Sequence, residues 1–156
     1  MKSQIKTAKG CSKLGSRVVA IAILAIVALL PHQEASAQDY AVIVHPSNTV
    51  GNLDQSDVVR IFLGRSHEFP GGGNATAVNS DESSATRTGF EQAVLGKSSD
   101  QMQAYWAKQM FSGQGRPPEE VGQDADVLSY VAANADAIGY VPASMVDGSV
   151  KVVFQQ

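Results

Sequence analysis

Five consecutive residues bring three hydroxyls and a guanidinium together: Ser83-Ser84-Ala85-Thr86-Arg87. Phe90, Val94 and Leu95 follow at helical spacing, so the five stand where a helix begins. A helix start has free backbone N–H groups and the positive end of the helix dipole. The hydroxyls of Ser84 and Thr86 add neutral donors and Arg87 adds charge. Together these are the parts of a site for an oxyanion. Plain capping by Ser83 or Ser84 explains the same residues without a ligand, because one hydroxyl is enough to cap a helix.

Other signals fail on their context. Gly96-Lys97-Ser98 has the ending of a phosphate-binding loop, but the glycine required five positions earlier is Glu91, and a helix precedes where a strand should. Asn74-Ala75-Thr76 is a glycosylation triplet that matters only in a eukaryotic secretory route. No serine sits in a nucleophile elbow, and no acid, base and nucleophile come together, so no enzyme is expected. His45 and His67 lie 22 positions apart in different segments, so neither a metal site nor a cofactor is expected. Glu119-Glu120 reads as solvated surface and Asp124/Asp126 as a helix start. Trp106 shares a helical apolar stripe with Met102, Tyr105 and Met110 and is expected in the core.

The elements that must position these residues alternate in type. Tyr40–Val44 reads as a buried strand ended by His45-Pro46. Asp54 stands as the N-cap of a helix through Val58, Ile61 and Phe62, stopped by Gly64. Pro70-Gly71-Gly72-Gly73 marks an irregular loop with Phe69 exposed in it, and 76–79 suits a short strand. A second helix runs from about Ser84 to Leu95 and stops at Gly96, and Ser98 or Ser99 caps a third. Arg116-Pro117-Pro118 belongs to a loop, Asp124 opens a fourth helix, and strands are expected at 137–141 and 150–154. The pattern predicts an α/β fold, a small sheet flanked by helices.

The first 37 residues are read apart. Lys2, Lys6, Lys9, Lys13 and Arg17 form a positive leader, Val18 to Leu30 is uncharged and mostly apolar, and Ala35-Ser36-Ala37 supplies small residues for cleavage. This is the pattern of a cleavable signal peptide, giving 1–37 as leader and 38–156 as one domain. Thirteen apolar residues span only about 20 Å as a helix, short of a bilayer's roughly 30 Å core. No stable membrane insertion is expected after cleavage, and the location is periplasmic or secreted. Cys11 lies before the apolar run, which excludes it as a lipidation site, and no cysteine remains beyond residue 37. Five of the twelve basic residues and one of the fifteen acids lie in the leader, leaving seven against fourteen, a net charge of −7. So acidic a domain repels nucleic acid and anionic lipid.

Three stretches resemble phosphate-type periplasmic solute-binding proteins. Leu53 to Gly64, ending Ile61-Phe62-Leu63-Gly64, is similar to their "L…IF.G" segment. Ser84-Ala85-Thr86 with Phe90 four residues later is similar to their Ser-Gly-Thr-x-x-x-Phe stretch, and Ala137-Ile138-Gly139-Tyr140-Val141 to their "AIGYV" strand. The chain departs where the family has an arginine four residues before the serine, which here is Ser80, and where the middle glycine is Ala85. The resemblance implies one lobe of the type 2 periplasmic-binding fold, with phosphate or another small oxyanion held by Ser83, Ser84, Ala85, Thr86 and Arg87. It also implies service to an ABC uptake system without catalysis. The alternative is a one-lobe interaction module of the cell envelope that has lost its ligand and docks an envelope protein or a second copy. Phe69 and the Arg116-Pro117-Pro118 loop are its contact points.

Overall fold

The computed structural model describes residues 39–156, which fall within one compact unit. The leader, its cleavage point after Ala37, Gln38 and Cys11 lie outside the described residues.

Strand β1 (Tyr40–Val44) is buried along its whole length, because both of its faces are covered. Tyr40, Val42 and Val44 point into one core, and Ala41 and Ile43 into the other, as the period of two requires. The remaining elements in chain order are α1 (Gln55–Phe62), β2 (Thr76–Asn79), α2 (Ala85–Ala93), α3 (Ser99–Phe111) and β3 (Glu119–Glu120). They continue with α4 (Asp124–Ala133), β4 (Ala137–Pro142), a 3-10 turn (Ala143–Met145) and β5 (Lys151–Gln155). The sheet order is β3-β2-β4-β1-β5. β1 runs antiparallel to β4 and β5, whereas β2 runs parallel to β3 and β4.

The two faces are dressed unequally. Residues of α1, α2 and α3 pack on one side, with Phe62, Phe90 and Tyr140 at the centre. Phe90 stacks on Tyr140 with ring centroids 3.9 Å apart, and Phe62 meets both edge-on at 5.2 and 5.6 Å. α4 covers the other side through Val127 and Val131, with Val121, Ala143, Val146 and Val150 around it. It sits so close to β4 that a Cβ on Gly139 would lie 2.6 Å from Val127 Cγ1. The expected α/β class and the flanked sheet are both present.

The expected caps hold at Ser84 and Ser98. Ser84 accepts from the Arg87 amide, and Ser98 closes a capping box with Gln101. Asp54 stands at the N-cap position of α1 without a side-chain hydrogen bond. Gly64 and Gly96 take the positive φ that stops a helix, at 64° and 65°. One expectation needs correction. Phe69 is not exposed: it is 4 % accessible and joins the first core, because a Glu68–Asn74 bridge turns the loop back and presses the ring inward. Glu119-Glu120 is exposed as expected, but it also forms an edge strand beside β2.

Candidate functional site

α2 begins after a loop that hydrogen bonds pin to the entry of α4. The Asp81 amide donates to the Gly122 carbonyl at 2.8 Å, and Gln123 Nε2 donates to Asp81 Oδ2 at 2.6 Å. Two helix starts are thereby held side by side. Asp124, the first residue of α4, faces the hydroxyls at the start of α2. Thr86 Oγ1 donates to Asp124 Oδ2 at 2.6 Å, and Ser84 Oγ lies 3.4 Å from Oδ1. A carboxylate of the chain itself therefore accepts the hydrogens expected for a ligand.

Arg87 is likewise engaged. Its Nε donates to Glu91 Oε1 at 3.2 Å, and one Nη donates to the Ser80 carbonyl at 3.0 Å and to Glu120 Oε1 at 2.6 Å. Burial pulls the guanidinium pKa down, but the hydrogen bonds to Glu120 and Glu91 overcome this and raise it, so Arg87 stays charged. Burial pushes the Glu91 carboxyl above its ordinary value despite the opposing ion pair with Arg87. Burial also raises the Tyr140 hydroxyl, which donates to Asn79 Oδ1 at 3.3 Å.

Of the five expected site residues, Ser84, Thr86 and Arg87 converge on this junction. Ser83 is exposed with no hydrogen-bond partner for its side chain among the described residues, and Ala85 brings only its backbone. The amides of Ala85 and Thr86 reach no acceptor among the described residues. Sequence reasoning missed Asp124, Glu91 and Glu120 as members. Arg87 and Glu91 stand four apart on one helix, and that spacing was a usable signal. Nothing local announces Asp124, which lies 38 positions from Thr86.

A cavity of about 300 Å³ opens beside Arg87, between α2, α3 and the loop before β3. Among the described residues no group of three or more His, Cys, Asp or Glu could hold a metal, and no helix is long and apolar enough to cross a membrane.

No protein-family model matches the chain, and no curated protein matches it in sequence. Solved structures do. One is described as a phosphate ABC transporter substrate-binding protein with bound phosphate, from Clostridium perfringens. It matches with a TM-score of 0.59 and 24 % identity, over 75 % of this chain and 45 % of that one. An ABC-type phosphate transport receptor from Vibrio cholerae matches at 0.58 and 22 %, over 75 % and 46 %. PstS from Borrelia burgdorferi matches at 0.56 and 14 %, over 80 % and 53 %. The chain spans about half the length of these proteins. The expected resemblance is present as a likeness of fold.

Proposed function

We propose that this chain is an exported, non-catalytic lobe of the solute-binding type, periplasmic or secreted, that takes phosphate or a similar small oxyanion weakly at the start of α2. The observation that carries this reading is the pair of unused amides at Ala85 and Thr86, at the positive end of a helix, with two hydroxyls beside them. The likeness of fold to proteins described as phosphate receptors supports the ligand class. The leader supports export. Delivery to an ABC transporter rests on the likeness alone.

Asp124 sets the strength and the choice. Two unit charges about 4 Å apart repel by about 1 kcal/mol in water and about 4 kcal/mol at an effective dielectric of about 20. A hydrogen bond to a charged group returns about 1.5–3 kcal/mol. The terms are comparable, so the net attraction is weak. An oxyanion that carries a proton can donate it to Asp124, whereas sulfate at neutral pH has none to give. Thermal unfolding in about 10 mM phosphate, sulfate or chloride at matched ionic strength tests this. With a Kd of about 1 mM, phosphate stabilises by about 1.4 kcal/mol and raises Tm by about 3–8 °C. No rise with phosphate sinks the oxyanion reading, and an equal rise with sulfate removes the selectivity assigned to Asp124.

One observation favours a second reading, a protein-interaction module of the envelope. The chain's own carboxylates already occupy Ser84, Thr86 and Arg87, so the junction is satisfied without a ligand.

A further inference from the structure

The cavity beside Arg87 has walls of two kinds. Met102, Trp106, Met110 and Pro117 line it with apolar surface. Glu82, Glu91 and Glu120 bring three carboxylates, with Arg87 the one cation among them. Arg87 is committed to Glu91, Glu120 and the Ser80 carbonyl. Glu82 is exposed, with no hydrogen-bond or ion-pair partner among the described residues. The cavity stays net negative even when Glu91 is protonated, so it repels an anion and attracts a cation.

The apolar surface continues outside. Met110 is 53 % exposed, and Phe111, the last residue of α3, is 98 % exposed. A small cation inside the cavity would leave the exposed part of Met110 in water, whereas a chain segment lying across the mouth would cover it and reach Phe111, its neighbour in the chain. The volume suits one long side chain rather than a folded element. The seven basic against fourteen acidic residues beyond the leader add attraction for a basic partner.

We propose that this cavity receives a lysine or arginine side chain from a basic segment of a partner protein, with an apolar neighbour of that side chain resting on Met110 and Phe111. This deepens the interaction-module reading, rests on it, and does not depend on the oxyanion site.

Trp106 is the one tryptophan of the chain and lines the cavity, so its emission reports occupancy. The full chain is titrated with the blocked peptide Gly-Phe-Arg-Leu-Gly, with the same peptide carrying citrulline for arginine, and with N-butylguanidinium, calorimetry running in parallel. The arginine peptide should bind and shift the emission, with both other probes at least about ten-fold weaker. Glu82→Gln and Phe111→Ser, both at exposed positions, should each weaken the peptide several-fold, and raised salt should weaken it further. Equal binding of the citrulline peptide removes the charge argument. Butylguanidinium binding as tightly as the peptide makes this a small-cation site. Either of these results overturns the proposal, as does parental affinity in either variant or no binding by either method. Phosphate raising Tm while the peptide fails leaves the oxyanion reading standing alone, and the reverse leaves this one.

Discussion

Each hydroxyl at the start of α2 has one hydrogen to give, and Asp124 accepts from both Thr86 and Ser84. A ligand there must share those hydrogens or bring its own. Replacing Asp124 by Asn keeps the shape and removes the charge. Asp124→Asn should therefore tighten phosphate by about three- to ten-fold and let sulfate bind comparably, while costing about 1–2 kcal/mol of stability from weakened hydrogen bonds. Calorimetry with both anions, alongside melting, checks this, and unchanged selectivity would place the ligand elsewhere. Glu91 gives the pH dependence. Its folded pKa is raised, first by burial, so the folded chain holds that proton more tightly than the unfolded one. That contribution is complete below the ordinary carboxylate value and is lost as pH rises through the raised one. Glu91→Gln can still accept from Arg87 but cannot ionise. Its Tm relative to the parent should climb between about pH 4 and about pH 8. A flat difference across that range contradicts the assignment.

Among the elements, β4 and α4 approach closely, and Gly139 permits it. An alanine there would press on Val127 Cγ1 at 2.6 Å and Val131 Cγ2 at 3.1 Å, both on a fully buried helix face. Gly139→Ala should cost about 1–3 kcal/mol by forcing α4 off the sheet. Chemical denaturation checks it, and a loss below about 0.5 kcal/mol would mean that α4 moves freely. The same strand shows what was legible in the sequence. Ala137 to Val141 is an uninterrupted apolar run because a strand covered on both faces needs no alternation. Ser84 and Ser98 announced their helices because capping is local chemistry. Phe69 was misread because a Pro-Gly loop signals a turn and not which way its aromatic points. β3 was missed because two glutamates become a strand only where β2 offers an edge. Asp124 and the carboxylates around Arg87 come from three segments that only the folded chain brings together.

For the molecule as a whole, likeness of fold and identity of ligand separate. The chain matches about half the length of proteins described as phosphate receptors. A ligand held from one side only keeps its other side in water, where each polar contact weakens. What the described residues form is a core of their own. Both faces of the sheet are covered by helices drawn from residues 55 to 133, and the buried set runs from Tyr40 to Val153. That set is drawn from residues beyond the first 37, and 119 residues suffice for one cooperative core. Residues 38–156 expressed alone should therefore unfold in a single transition with a stability of about 5–15 kcal/mol. Far-ultraviolet dichroism and Trp106 emission should report the same midpoint, since one follows the helices and the other the α3 packing. Separate midpoints would mean that α3, and the cavity it lines, forms its own weaker unit. A failure of 38–156 to fold while the full chain folds would mean that the leader is part of the domain.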